Sequence, residues 1–443
     1  MSIQPEKLPP TLADTSPLAN GIALTRDPLA FFTRLQHEIG DFAHYVLSDR
    51  VVYFVNDVRL VREILITHES RFAKWAFNES FRAIFGKGLI GSHGDLHSQM
   101  RKIAHPPMQP SRLGRYVEII VELTHKRLEG WREGQIDLSR EMTLLTLEVI
   151  ARALFSVPLG ARAETILQAT ETLLRLNTKL GGAAEDVAAF EKANQTIADI
   201  AQEVIDEAKS APEDGGLLPT LLAAHREGLI SAEQLREEVR TFVLAGHVTT
   251  AQSLACAFWL VAQQPDAQKR IREEVEAVLG GKSPRLEDIP RLSFCEAVML
   301  ETIRLYPPVW VFGREALVDV QLDGFKLTAG RELVICPWML HRNPKIFPEP
   351  ESFKPERWEN GARTRLPRGS YLPFSTGARN CLGEHFAMME SILVLASVVQ
   401  EWKFRELPER PDPGWTPQLL YWPRRGIRLD LARSGEGPAQ IRP

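Results

Sequence analysis

The pattern of this chain predicts a mainly helical α+β fold, with a large helical region and a smaller β-rich one. Three observations carry that reading. Over residues 116–208 the pattern is mostly helical, with breaks at Pro158-Leu159-Gly160 and Gly181-Gly182. Residues 241–265 hold no Asp, Glu, Lys or Arg, and residues 386–399 are again apolar with helical period. Strand-like runs, by contrast, are short: 44–47, 51–55, 318–322, 333–336 and 419–422.

Bulk properties narrow the function. The chain has 443 residues, 44% hydrophobic and 25% charged, ordinary for a globular protein. One domain over 1–443 is expected, with an irregular lead-in over 1–24 and a flexible tail over 434–443. A net charge of −4 offers no basic field for nucleic acid. Four cysteines, Cys256, Cys295, Cys336 and Cys381, are too scattered for a disulfide scaffold or a paired-cysteine zinc site, so a reducing, cytoplasmic setting is expected. The first 24 residues lack the basic and apolar regions of a signal peptide, and no membrane anchor is expected. The charge-free run is long enough to span a bilayer, but its His, Thr, Gln and Ser residues favour a buried core helix. The chain is expected to be a monomer.

Taken in order, residues 29–39 read as a first helix, and 44–47 and 51–55 as strands around a Ser48-Asp49-Arg50 turn. Asp57 is placed to cap a helix running to Leu65. Gly86-Lys87-Gly88-Leu89-Ile90-Gly91 is formally G-x-G-x-x-G. No apolar strand leads into it and no acid follows about twenty residues on, so it reads as a flexible loop and not a dinucleotide site. His97 and Arg101, four apart, share a helical face; a solvated polar face would account for them equally. His93 and His97 lack a third ligand at a recognisable spacing. Residues 212–216 read as a linker. Ser231 carries an N-cap signature for a helix that runs on into the charge-free segment. Ser293-Phe294-Cys295-Glu296 reads as a capping box, and Pro307-Pro308 stops the helix it opens.

The chemistry is concentrated in Phe374-Ser375-Thr376-Gly377-Ala378-Arg379-Asn380-Cys381-Leu382-Gly383. Its pattern, F-x-x-G-x-R-x-C-x-G, arises by chance in such a chain on the order of once in ten thousand. Cys381 stands just before a helix N-terminus, where backbone N–H groups favour a thiolate. Gly377 and Gly383 permit a tight backbone wrap, and Arg379 offers a fixed cation.

This loop resembles that of the cytochrome P-450 family, in which the Cys thiolate is the axial ligand of haem iron. Three further motifs follow in family order. Ala245-Gly246-His247-Val248-Thr249-Thr250 resembles the distal helix A-G-x-(acid)-T-T, whose Thr hydroxyl takes part in oxygen activation. Glu301-Thr302-Ile303-Arg304 resembles E-x-x-R, a buried pair completed here by Arg357 of Lys354-Pro355-Glu356-Arg357-Trp358. The resemblance implies the P-450 fold and haem b, with Phe374, Gly377, Arg379 and Gly383 in the cofactor loop. It also implies His97, Arg101 and Arg314 on the haem propionates. Leu89, Ile90, Leu244, Val248, Val309, Trp310, Phe312, Leu419 and Leu420 would line an apolar substrate pocket, although such residues are also ordinary core.

The activity so implied is insertion of one oxygen atom from O2 into an apolar small molecule. Electrons would come from a separate ferredoxin or flavodoxin-type donor, since the length leaves no room for a fused reductase. One departure stands out: the acid position of the distal helix is Val248. Protons would have to arrive through water, through His247 or from the substrate, because Gln252 is no acid. That opens a peroxide-driven or non-hydroxylating oxidase, dehydrogenating or coupling, as an alternative. A haem-based ligand sensor is the non-enzymatic reading.

Overall fold

The computed structural model describes residues 7–13, 15–75, 84–176, 183–209 and 215–434. Gly181-Gly182, most of the 212–216 segment and the tail beyond Ser434 lie outside those residues. The chain divides into two compact units.

The first unit comprises Met1–Phe77, Arg304–Ser352 and Ala362–Cys381. Part of the expected irregular lead-in is instead a helix, Pro17–Arg26. Ser16 caps it by accepting from the Ala19 N–H, and Pro17 begins the helix where its missing N–H costs nothing. Helix Pro28–Glu38 follows, capped by Asp27. A five-stranded sheet then runs in the spatial order Phe42–Leu47, Arg50–Val55, Glu332–Ile335, Phe312–Ala316 and Phe72–Lys74. Only the pairing of Arg50–Val55 with Glu332–Ile335 is parallel. Its core holds Tyr53, Val55, Leu60, Ile64, Leu65, Leu333 and Ile335. Asp57 caps helix Val58–Arg62 as expected, but the chain then widens into a π-helical turn over Glu63–Thr67.

The second unit comprises Asn78–Ile303, Phe353–Gly361 and Leu382–Pro443. Its helices include Gly94–Ala104, Val117–Leu128, Leu138–Leu154, Arg162–Leu176, Ala184–Ala208 and Glu384–Glu401. At its centre is Ala232–Ala262, one unbroken helix of 31 residues begun by Ser231, whose hydroxyl accepts from the Gln234 N–H. By length and composition this helix would cross a membrane, but 72% of its most apolar 18-residue window is buried within the protein. Three short strands, Gly134–Asp137, Arg428–Arg433 and Trp402–Arg405, form a second sheet. The start of helix Ser293–Leu305 departs from expectation. The Glu274 carboxylate, and not a Ser293–Glu296 box, accepts from the Phe294 and Cys295 N–H groups at 2.6 and 2.9 Å.

Candidate active site

Cys381 closes a loop whose backbone is fixed at several points within the first unit. Its N–H donates to the Phe374 carbonyl at 2.8 Å, and the Asn380 N–H to Gly377 at 3.0 Å. The Ala378 N–H donates to the Glu69 carboxylate at 2.6 Å. Gly377 has φ +73°, and a Cβ there would lie 2.1 Å from the Leu65 carbonyl oxygen, which the π-helical turn presents. Only glycine meets both conditions. Gly383, at φ −88°, has a backbone conformation open to any residue. Helix Glu384–Glu401 begins two residues after Leu382. The Cys381 thiol is exposed, whereas Cys256, Cys295 and Cys336 are buried and their thiols pushed up by burial.

Beside this loop's cation the same unit gathers two more. Lys74 and Arg314 are direct cross-strand partners in the sheet. Like charges opposite one another on a sheet repel. Burial first, then Arg314 and Arg379, push the Lys74 ammonium down to about 7. Burial and Arg379 push Arg314 down to about 10, with Glu69 pulling the other way. Three cations crowded like this fit an anionic group such as a haem propionate, which would relieve their repulsion. Arg314 and Arg379 were legible from sequence; Lys74 was not. Its signal was its place at the end of a strand of only three residues, visible once the register is known.

In the second unit, His97 is buried and Arg101 half-buried on helix Gly94–Ala104. The long helix is buried on nearly every side from Glu238 to Phe258. The exceptions are Phe242, Ala245, Gly246, Val248 and Thr249, all half-exposed. Phe242, Ala245, Gly246 and Thr249 have the i, i+3, i+4, i+7 spacing of one face, so a partly exposed strip runs along a core helix. Gly246 serves a close approach: a Cβ there would meet Ile150 Cδ1 at 2.8 Å. Thr249 and Thr250 donate back to the carbonyls of Ala245 (3.1 Å) and Gly246 (3.3 Å).

From Thr241 to its end at Ala262 the long helix carries no acid. His247 is fully buried and its Nδ1 is bonded to the Val243 carbonyl, which makes Nδ1 the donor and leaves Nε2 a bare acceptor. Burial pushes it down to about 4 despite that bond, so near pH 7 it is neutral. Gln252 is committed through its Nε2 to the Tyr421 carbonyl.

Of the expected charge network, Glu301 and Arg357 come together. The fully buried Glu301 carboxylate accepts from Arg357 Nε at 2.9 Å, the Lys354 N–H at 2.9 Å and Trp358 Nε1 at 2.8 Å. Arg304 is equally buried and donates to the carbonyls of His341 (2.9 Å), Pro350 (2.6 Å) and Ser352 (3.1 Å). Among the expected pocket residues, Leu89, Leu244 and Leu420 are buried and Val309 is exposed. Ile90, Phe312 and Leu419 are half-buried. Trp310 packs against Phe32, its ring part of the first unit's aromatic core. Residues 419–420 form the turn between the paired strands Trp415–Pro417 and Tyr421–Pro423.

The family model for Cytochrome P450 matches residues 18–430, and the chain belongs to that family. It is therefore an oxidoreductase of the P450 monooxygenase type, and a haem-iron cofactor comes with the family. Cyclooctatin synthase of Streptomyces melanosporofaciens is 33% identical over 419 residues, covering 90% of this chain and 91% of the relative. Cyclooctat-9-en-7-ol 5-monooxygenase of the same organism is 32% identical, covering 88% of each. Pentalenene oxygenase of Streptomyces avermitilis is 29% identical, covering 94% and 95%.

Proposed function

We propose that this chain inserts one oxygen atom from O2 into an apolar cyclic terpene, with haem b held by the Cys381 thiolate and electrons from a separate ferredoxin or flavodoxin-type donor. The observation that carries the reading is Cys381, the one exposed thiol among the described cysteines, at the end of a loop fixed by backbone bonds. Bound there, haem supplies oxygen chemistry in which a thiolate ligand favours O–O cleavage. Arg314, Arg379 and Lys74 would hold its carboxylates through charge-assisted hydrogen bonds, and the family resemblance gives the same role to His97 and Arg101. Ala245, Gly246, Thr249 and Thr250 take the place of the family's distal motif, and Thr249 is proposed to serve the oxygen chemistry there, with Val248 beside it. Apolar residues such as Leu89, Ile90 and Leu244 suit a hydrocarbon. Two relatives are named for cyclooctat-9-en-7-ol and pentalenene, which supports a cyclic terpene for this chain. We read the two units as parts of one catalytic domain, since the family model runs across both. A cytoplasmic location accords with the bacterial relatives.

The acid-free stretch around Thr249 favours one further reading, a peroxide-driven or non-hydroxylating reaction. His247 is neutral, Gln252 is held by Tyr421 and Val248 cannot relay a proton. One experiment separates the two. Purified enzyme is given pentalenene-type cyclic olefins with a ferredoxin, its reductase and isotopically labelled O2. The proposal expects label in the product and a modest product yield per electron pair, which Val248→Glu raises at least two-fold. Product formed only with peroxide, and without label, would establish the second reading.

A further inference from the structure

The formal G-x-G-x-x-G over Gly86–Gly91 is neither a nucleotide loop nor a slack connection. Its backbone is gripped by the side chains of the long helix. The Lys87 N–H donates to Glu237 Oε2 at 2.9 Å, and the Leu89 N–H to Glu238 Oε2 at 3.0 Å. The Lys87 carbonyl accepts from Gln234 Nε2 at 3.3 Å, and the Phe85 carbonyl from Thr241 Oγ1 at 3.2 Å. Arg240 Nη2 donates to the Ile84 carbonyl at 2.5 Å. Gln234, Glu237, Glu238 and Thr241 recur at i, i+3, i+4 and i+7, so one helix face reads the loop's main chain.

The glycines follow from that grip. A Cβ on Gly86 would lie 1.5 Å from Glu237 Oε2, and one on Gly88 would lie 2.1 Å from Thr241 Oγ1 and 2.7 Å from the Glu237 carbonyl. The loop therefore approaches the helix closer than any side chain permits. The following residue pair, Leu89 and Ile90, is the part of the loop that the proposed function assigns to the substrate pocket.

Glu238 is the central member. It is fully buried, and its other oxygen, Oε1, accepts from Gln234 Nε2 at 2.9 Å. A buried carboxyl with both oxygens committed to one loop and its own helix is a costly group to retain for packing alone.

We infer that Glu238 is the positioning residue that fixes Leu89 and Ile90, and through them the apolar wall that selects substrates. The inference rests on the haem-oxygenase reading for what the wall faces. It does not rest on that reading for the grip itself.

The test compares wild type with Glu238→Leu and Glu238→Gln. Two readouts are used: backbone hydrogen exchange over residues 84–92, and the haem spectral shift on adding imidazole or 4-phenylimidazole. Glu238→Leu should speed exchange at Lys87 and Leu89 at least ten-fold. It should also weaken 4-phenylimidazole at least ten-fold while leaving imidazole, which needs no apolar wall, within two-fold. Glu238→Gln keeps an acceptor for the Leu89 N–H and should restore both readouts to near wild type. Exchange in Glu238→Leu unchanged from wild type would overturn the inference. So would a Gln variant as impaired as the Leu variant, or fast exchange with unaltered 4-phenylimidazole binding. A wild-type protein that showed no thiolate-type spectrum would instead overturn the haem-oxygenase reading, and exchange alone would then judge the grip.

Discussion

At the scale of single residues, the cations around the Cys381 loop give the sharpest consequence. Lys74 falls from an ordinary lysine value near 10.4 to about 7 through burial and the neighbouring Arg314 and Arg379. Between those values the unfolded chain binds the proton that the folded apoprotein refuses. Apoprotein stability therefore rises with pH over that window, and the full penalty applies below it. A carboxylate placed beside Lys74 restores the ammonium, so above pH 7 haem binding takes up a proton. Haem affinity should then fall as pH rises from 7 to 9, by as much as about ten-fold per unit. Lys74→Met should flatten the slope, measured as the rate of haem loss to an apoglobin scavenger. Equal slopes in both proteins would contradict this. Residue chemistry tied to a motif, such as Cys381, Arg379 and Thr249, was legible in the sequence. Lys74 and Glu238 were not, because each acquires its meaning from a partner far along the chain: Arg314 across the sheet, and the Leu89 N–H across 149 residues.

At the scale of elements, most helices were legible because their apolar period is strong, whereas short strands such as Phe72–Lys74, Gly134–Asp137, Trp402–Arg405 and Arg428–Arg433 were not. Helix boundaries and caps were less legible. Ser293 and Glu296 have capping-box spacing, yet Glu274 from another helix takes the free N–H groups. A cap supplied from outside leaves no local signature. Helix Pro17–Arg26 was hidden by the prolines and polar residues around it, although Ser16-Pro17 is itself a start signal. The segment Phe353–Gly361 shows what an irregular element does energetically. Its Lys354 N–H, Arg357 and Trp358 supply the donors that satisfy the buried Glu301 carboxylate. Glu301→Ala leaves those donors unmatched and should cost about 3–5 kcal/mol, read as a lowered denaturant midpoint. Glu301→Gln, which retains acceptors, should recover part of the loss. A midpoint unchanged in the Ala variant would mean that the donors find water or other partners without penalty.

At the scale of the whole molecule, the family motifs are separated in sequence by long stretches that carry little chemical signal of their own. The first unit holds the Cys381 loop with Lys74, Arg314 and Arg379, and the second holds the long helix with its partly exposed strip. That division could not be read from the sequence, because the first unit is assembled from three separated segments whose pairing depends on sheet register. The proposed ligation of haem iron by Cys381 can be read in the ferrous protein under carbon monoxide. The wild type should give the red-shifted Soret band of a thiolate-ligated haem, and Cys381→Ala should lose it while still folding. A red-shifted band that survived in Cys381→Ala, or that was missing from haem-loaded wild type, would contradict the account.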